Sequence, residues 1–295
     1  MHKKKNIKRF ILWGFLAGIT LLFLYGNIIG RNNFRFDEVV VEIDDLPPAL
    51  DGFRITHLSD LHLASFRKRE DKLRMIYDSI SKLECDLIIN TGDFVSYNYH
   101  EMERFTGILA LPRARYGKFA VPGNHDTGYY DKDFRTRQDR HLEEIRARAE
   151  AAGYIWLSDS TAKLIIDSSC VSISGVSISG RIPFIKYGSI EEAMRGAGSA
   201  DFKIVLSHDP KHWTDELQYL DIDLTLSGHT HGMQLGLLLP WLKISPASLL
   251  FRHWYGLYNN GKSYLYVNRG IGTMGPPIRI GMPPEITLIT LSRSD

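Results

Sequence analysis

The sequence predicts an α/β domain built on two packed β-sheets, preceded by one membrane-crossing helix. Three observations carry that expectation. Residues 10–30 contain no charge, residues 54–121 alternate short apolar runs with helix-spaced ones, and β-branched runs punctuated by Ser and Gly follow from residue 154.

The N-terminal segment comes first. Lys3, Lys4, Lys5, Lys8 and Arg9 have no acidic partner in the first nine residues, and with a formal net charge of +2 the rest of the chain is slightly acidic. A nucleic-acid binder would need basic side chains concentrated on the folded surface, so nucleic acid is not expected as a partner. From Phe10 to Gly30 the chain is almost wholly apolar, and about 20 helical residues span the roughly 30 Å of a bilayer core. Trp13 and Tyr25 sit near the two ends, and the Lys/Arg flank predicts a cytoplasmic N-terminus with the folded body on the extracytoplasmic face. A buried core helix would show a polar face, whereas only Thr20 and Asn27 interrupt this run. Acidic residues before the folded body disfavour a transit peptide. A cleaved signal peptide stays open, although the run exceeds a typical h-region and no small-x-small site follows it. The expected division is a basic tail 1–9, an anchor 10–30, a connector 31–51 and a folded domain 52–295.

Within the connector, Val39, Val41 and Ile43 alternate before Pro47-Pro48. Residues 54–58 predict a strand, Leu73, Ile76, Ile80 and Leu83 a helix, and residues 86–90 a buried strand. Met102, Phe105, Ile108 and Leu109 mark a second helix, and residues 118–121 a third strand. This β-α-β-α-β order implies parallel pairing with right-handed crossovers. Residues 135–152 form a charged helix placed at the surface. Residues 154–157, 163–166 and 170–178 predict antiparallel strands of a second sheet, and 203–206, 223–226, 263–267 and 286–291 add four more. No internal repeat is present. Cys85 and Cys170 are the only cysteines; without Cys-x-x-Cys spacing a thiolate metal site is dismissed, and a disulfide is open but not implied.

Five stretches suited to metal each follow a predicted strand: Asp60-Leu61-His62, Gly92-Asp93, Gly123-Asn124-His125-Asp126, Ser207-His208-Asp209 and Gly228-His229-Thr230-His231. Loops beyond strand C-termini share one crevice in open α/β sheets, so the five stretches can converge. Carboxylate, imidazole and amide oxygen suit Mn, Fe or Zn. Phosphate-ester hydrolysis needs an attacking hydroxide and charge stabilisation, which two ions about 3.5–4 Å apart provide. A two-residue step in extended backbone would aim Asp60 with His62, and His229 with His231, to one side. Gly92, Gly123 and Gly228 would permit tight excursions. Singly, Asp60 or Gly92-Asp93 reads as an ordinary turn; the joint order does not. His208 directly follows the apolar Ile204-Val205-Leu206 run and is preferred over His212, which is placed at the surface or behind the ligands. His100, His141 and His253 are taken as ordinary polar or partly buried residues. Ser207-His208-Asp209 is no hydrolase triad, because adjacent residues cannot easily reach triad geometry.

In this order the motifs resemble the calcineurin-like metallophosphoesterases over residues 52–291. The resemblance implies a four-layer α/β/β/α fold and two divalent metal ions. One ion would be held by Asp60, His62, Asp93 and His231, and the other by Asp93, Asn124, His208 and His229, with Asp93 bridging. It also implies that His125 lies beside the ions, donating to the phosphate or protonating the leaving group, with Asp126 orienting its imidazole; a neighbouring carboxylate favours the protonated form.

Residues 228–234, Tyr255-Gly256-Leu257-Tyr258, residues 267–272 and Pro283-Pro284-Glu285-Ile286 resemble the membrane-associated bacterial branch. Some of its members act on cell-envelope or lipid-linked phosphodiesters, including a UDP-diacylglucosamine hydrolase of lipid A synthesis. Met233 stands where that branch usually has Gly. Related UDP-diacylglucosamine pyrophosphatases typically carry Arg where this chain has His125, so the resemblance leaves the substrate open. The expected function is a membrane-anchored hydrolase of a phosphate ester, phosphodiester or phosphoanhydride, with a lipid-linked or envelope substrate. A silent membrane scaffold and a nuclease-type enzyme are the alternatives; the first is disfavoured because no ligand is missing, the second because no basic stripe is present. Leu235, Leu237, Leu238, Leu239, Trp241 and Leu242 read either as a strand of the second sheet, which is favoured, or as a membrane-facing lip for an acyl chain.

Overall fold

Strands too short and apolar to stand alone find partners in two six-stranded sheets. The computed structural model describes residues 2–132 and 134–294, with side-chain environments for 8–132 and 140–294. The side chains of Lys3, Lys4 and Lys5 lie outside the described residues. The first half runs α1 (His2–Ile28), β1 (Arg35–Ile43), β2 (Arg54–Leu58), α2 (Glu70–Ile80), β3 (Leu87–Asn90), α3 (Thr106–Leu109), β4 (Lys118–Ala120), α4 (Phe134–Ala151) and β5 (Tyr154–Trp156). Next come β6 (Ser160–Ile166), β7 (Ser169–Gly175), β8 (Ile178–Arg181), β9 (Phe184–Tyr187), α5 (Ile190–Met194), β10 (Phe202–Leu206), α6 (Pro210–Asp215) and β11 (Leu224–Ser227). The chain ends with β12 (Leu237–Leu239), β13 (Leu242–Ile244), β14 (Gly256–Asn259), β15 (Tyr264–Val267) and β16 (Glu285–Arg293). One sheet has the order β1-β16-β2-β3-β4-β5 and the other β14-β15-β11-β10-β7-β6.

The period-2 alternation of a strand sorts its side chains between layers. In β3, Leu87 and Ile89 face the second sheet, packing with Phe119, Ile173, Ile204 and Leu226. Ile88 points the other way, into a core with Leu73, Ile76 and Ile80 of α2 and Ile145 and Ala149 of α4. On the far side Val205, Leu265 and Val267 meet Ile190 and Ala193 of α5 and Trp213 of α6. Helices, sheet, sheet and helices therefore stack as the four expected layers.

Several elements differ from expectation. The proposed connector contains β1, whose nine residues pair in parallel with β16 from Arg35↔Glu285 to Ile43↔Arg293, burying Val41 and Ile43. The run 154–157 does not join the second sheet: β5 pairs in parallel with β4. Parallel neighbours need a long crossover, and the 18-residue α4 supplies it. That helix is therefore amphipathic rather than merely superficial, burying Ile145 and Ala149 while Arg140 and Arg146 face solvent. Instead of one helix, residues 102–109 form a 3-10 turn (Tyr99–Met102) followed by the single turn of α3. Leu237 to Ile244 do not join the second sheet but form a separate two-stranded ribbon, β12–β13. Cys85 and Cys170 are both free thiols.

The N-terminal helix α1 is long and apolar enough to cross a membrane, and little of it is buried. Its C-terminal end meets the loop before β16: Arg279 N donates to Gly26 O at 3.1 Å, and Asn27 Nδ2 to Pro277 O at 2.9 Å.

Candidate metal centre

β2, β3, β4, β10 and β11 all deliver their C-terminal loops to one end of the paired sheets, and these loops hold every ligand expected from sequence. The backbone device that turns the side chains inward is not extended. Asp60 (φ 51°), His62 (40°), Asp93 (57°), His229 (69°) and His231 (51°) all adopt left-handed conformations, at about 1–2 kcal/mol each for an L-residue. Neighbouring loops enforce them: Asp60 N donates to Gly92 O at 2.9 Å, His62 N to Asp93 O at 3.0 Å, and Gly272 N to Asp60 O at 2.8 Å. Strain of this kind persists where its surroundings over-determine it, typically at functional sites.

The side chains form two groups. Asp60 Oδ1 lies 3.1 Å from His231 Nε2 and 3.9 Å from His62 Nε2, and the two Nε2 atoms are 3.1 Å apart. In the second group, Asp93 Oδ2 lies 3.2 Å from His208 Nε2, which is 3.2 Å from His229 Nδ1. Asp93 Oδ2 is also 3.5 Å from His62 Nε2, so one carboxylate reaches both groups. Asp60 Oδ1 and Asn124 Oδ1 are buried without a hydrogen-bond partner. A buried acceptor left unmet costs about 1–3 kcal/mol; a divalent cation at each group would satisfy these oxygens. Converging N and O donors with orphaned buried acceptors fit a pair of such cations.

Charge placement is strongly biased. Burial would raise the Asp60 carboxyl, but His231, His208 and His62 hold it well below the usual carboxylate range. Asp93 behaves likewise, with His208 and His125 outweighing desolvation. Burial opposes a charge on His208, yet Asp93 pushes its imidazole up to about 10.

His125 lies over this centre, its ring edge-on to His62 at 4.9 Å and stacked on Tyr130 at 3.8 Å. Its Nδ1 is 2.7 Å from Ser96 O. A carbonyl only accepts, so Nδ1 carries the proton and Nε2 is left free. Ser96, rather than Asp126, therefore orients the imidazole. The Asp126 carboxylate instead accepts from Gly123 N at 2.9 Å and Val95 N at 3.2 Å, clamping two loops together, and burial with the nearby Asp93 pushes it up to about 8.

His212 is buried behind the candidate ligands, bonded to Ser207 Oγ (2.9 Å) and Glu216 Oε2 (3.2 Å). His100 pairs with Glu103, His141 sits near Asp131, and His253 bonds Thr214, all apart from the two groups. Sequence reasoning missed Ser59, which donates to Asp60 Oδ2 at 2.6 Å. It also missed Arg279, which is fully buried and donates to the carbonyls of Arg269, Gly270 and Gly272, with Nη2 3.2 Å from His231 Nδ1. No local motif signals either role; only the folded loops bring them in. At Gly228 the requirement is space rather than φ, since a Cβ would lie 1.8 Å from Ser59 Oγ and 2.3 Å from Asp60 Oδ2. Met233, in place of the expected Gly, takes a left-handed φ of 47°. It lines a cleft of about 720 Å³ that runs from His229 and His231 along Ile182, Ile185, Leu250 and Phe251.

A family model described as calcineurin-like phosphoesterase matches residues 53–233, the interval holding every candidate ligand above. An uncharacterized metallophosphoesterase of Bacillus subtilis is 27% identical over 307 residues, covering 99% of this chain and 100% of that protein. A Bos taurus transmembrane protein with a metallophosphoesterase domain is 30% identical over 287 residues, covering 92% of this chain and 60% of its own length. Among solved structures, a dimetal phosphatase from Danio rerio matches with a TM-score of 0.44 and 10% identity, over 77% of this chain and 90% of that one.

Proposed function

The chain belongs to the calcineurin-like phosphoesterases, and from that premise we propose that it is a membrane-anchored two-metal hydrolase of a lipid-linked or cell-envelope phosphate ester, phosphodiester or phosphoanhydride. The observation that carries this reading is the Asp93 carboxylate, 3.5 Å from His62 Nε2 and 3.2 Å from His208 Nε2, placed between two buried donor groups. Asp60, His62, Asp93 and His231 would hold one divalent ion, and Asp93, Asn124, His208 and His229 the other. Bound there, the ions supply an activated water and neutralise charge on the phosphoryl group.

The chain's own residues do the rest. His125, with Nδ1–H committed to the Ser96 carbonyl, presents Nε2 to the phosphoryl group; in the imidazolium form Nε2–H donates to a phosphoryl oxygen or passes its proton to the leaving group, leaving the neutral ring protonated on Nδ1. Tyr130 stacks on that ring and restricts its rotation, while Asp126 fixes the turn that bears it. Ser59 and the His229 amide both donate to Asp60 Oδ2, aiming the opposite oxygen into the site.

The apolar wall of the cleft, with Ile182, Ile185, Leu250 and Phe251 beside His229 and His231, supports a substrate whose phosphate carries an acyl portion. The uncharged run of α1 and its basic flank support an anchor near 10–30 with a cytoplasmic N-terminus and an extracytoplasmic body, and that body begins with β1 rather than at residue 52. Turnover of a chromogenic phosphodiester by the full-length chain in Mn-supplemented detergent tests the reading. Asp93→Ala should abolish it by removing the bridge, whereas His125→Ala should slow it and keep most of the metal. Wild-type rates for Asp93→Ala would defeat the assignment.

A further inference from the structure

The ribbon β12–β13 has an outward face that water does not explain. Its register pairs Leu237 with Ile244 and Leu239 with Leu242, so these four side chains share one face, and Leu238 with Lys243 occupy the other. Leu238 packs inward against a small core of Ala247, Phe251, Trp254 and Met282. Lys243 also lies on that side, over the Tyr255 ring. The face turned away from the domain is thus wholly apolar, with Leu237 47% and Ile244 52% exposed. Trp241 caps the two-residue turn at 79% exposure, and Leu249 on the following turn reaches 84%. A two-stranded element against a domain normally turns polar residues to solvent, and a contiguous apolar patch of this kind marks an interaction surface.

The neighbourhood selects the partner. The root of the ribbon is stitched to the end of α1: Gly236 N donates to Ile280 O at 2.9 Å, and Arg279 N to Gly26 O at 3.1 Å. Leu235 bridges Ile280. Gly30 approaches so closely that a Cβ there would fall 1.8 Å from Arg279 O. Three residues per strand extend only about 10 Å from that root. The ribbon therefore lies close to the C-terminal end of α1. Charge agrees, because the sequence carries no Asp or Glu between Asp223 and Glu285. The acidic side chains beside the ribbon, Asp37 and Glu38 of β1, border Lys243 and Tyr255 on its inward side, so the outward face carries no charge to repel anionic headgroups.

We propose that the apolar face of β12–β13, with Trp241 and Leu249, is a second membrane-contact surface that inserts into the bilayer leaflet beside α1. Trp241 sits at headgroup depth, where an amphipathic indole is favoured. Leu250, next to Leu249 and 58% exposed, also lines the cleft wall, so the insertion holds the cleft mouth against the leaflet. A membrane-resident phosphate ester then enters sideways without leaving the lipid. The inference rests on the anchor reading of α1.

The test uses the full-length chain in vesicles of phosphatidylcholine and phosphatidylglycerol whose acyl chains carry bromine. Subtracting the emission of Trp241→Phe isolates Trp241 from the other tryptophans. The proposal expects brominated lipid to remove most of the Trp241 emission while aqueous iodide leaves it unchanged. Quenching by iodide alone overturns it, and so does shielding from both quenchers in a cross-linked dimer, which would make a second copy of the chain the occupant. Retention through an alkaline carbonate wash reports the anchor, and turnover of a soluble diester reports the metal centre. Failure of either is thereby told apart from failure of this surface.

Discussion

Gly228→Ala inserts one methyl group where two catalytic-end loops touch. The new Cβ would stand 1.8 Å from Ser59 Oγ and 2.3 Å from Asp60 Oδ2. Ordinary contact begins near 3.5 Å, so both atoms must retreat by roughly 1–2 Å. Ser59 cannot simply rotate away, because Oγ donates to Asp60 Oδ2 at 2.6 Å and accepts from Thr91 Oγ1 at 2.8 Å. Asp60 Oδ2 is further tied to the His229 amide at 2.9 Å. The displacement therefore passes to the Asp60 carboxylate and to the backbone carrying His229, one residue from each proposed ion. A misplacement of about 1 Å costs on the order of 10²-fold in rate, and overpacking costs about 1–3 kcal/mol, small enough to leave a domain of about 5–15 kcal/mol folded. The assay is turnover of a chromogenic phosphodiester with bound metal measured in parallel and stability followed by urea. Gly107→Ala, where nothing lies within 4 Å, is the control and should behave as wild type. Wild-type turnover and metal content in Gly228→Ala would refute the claim that this contact places Asp60.

Two further perturbations probe the scaffold beneath the site. Lys118 Nζ donates to Leu109 O at 2.7 Å and Ala152 O at 2.6 Å, closing the C-terminal ends of α3 and α4; Lys118→Met should lose about 2–4 kcal/mol in urea denaturation, with little change in metal content. Glu285 is fully buried; desolvation alone would raise its carboxyl, but Arg269, Thr287 and Tyr266 hold it below the usual range. Its contribution is therefore complete above the unfolded carboxyl value and is lost as pH falls through the lower folded value. Glu285→Gln should cost about 3 kcal/mol at pH 7, and the difference from wild type should shrink in urea titrations at progressively more acidic pH; a gap that widens on acidification contradicts that sign.

The convergence of the five candidate loops is legible because each candidate ligand follows a short apolar strand, and strand ends are where an α/β sheet opens. His208 could be separated from His212 on the same ground: the first continues β10, and the second lies on α6 behind it. Pairing partners were not legible. β1 meets β16 more than two hundred residues away, and β5 pairs with β4 rather than in the second sheet; a three-residue strand has too little periodicity to declare its neighbour. Local residue types also misled about orientation. Asp126 adjoins His125, yet the carbonyl of Ser96 takes its Nδ1–H. Nothing in Asp-x-His announces left-handed backbone, since the neighbouring loops impose it. Arg279 is invisible for the same reason, being a lone basic residue in a Pro- and Gly-rich loop until that loop closes over His231.

The account depends above all on two ions sharing Asp93. Anomalous diffraction at the manganese edge, from crystals grown with that metal, locates them directly. Two peaks about 3.5–4 Å apart are predicted, one against Asp60, His62 and His231, the other against His208, His229 and Asn124, with the Asp93 carboxylate between them. A lone peak, or metal bound elsewhere with these side chains still in place, would contradict it.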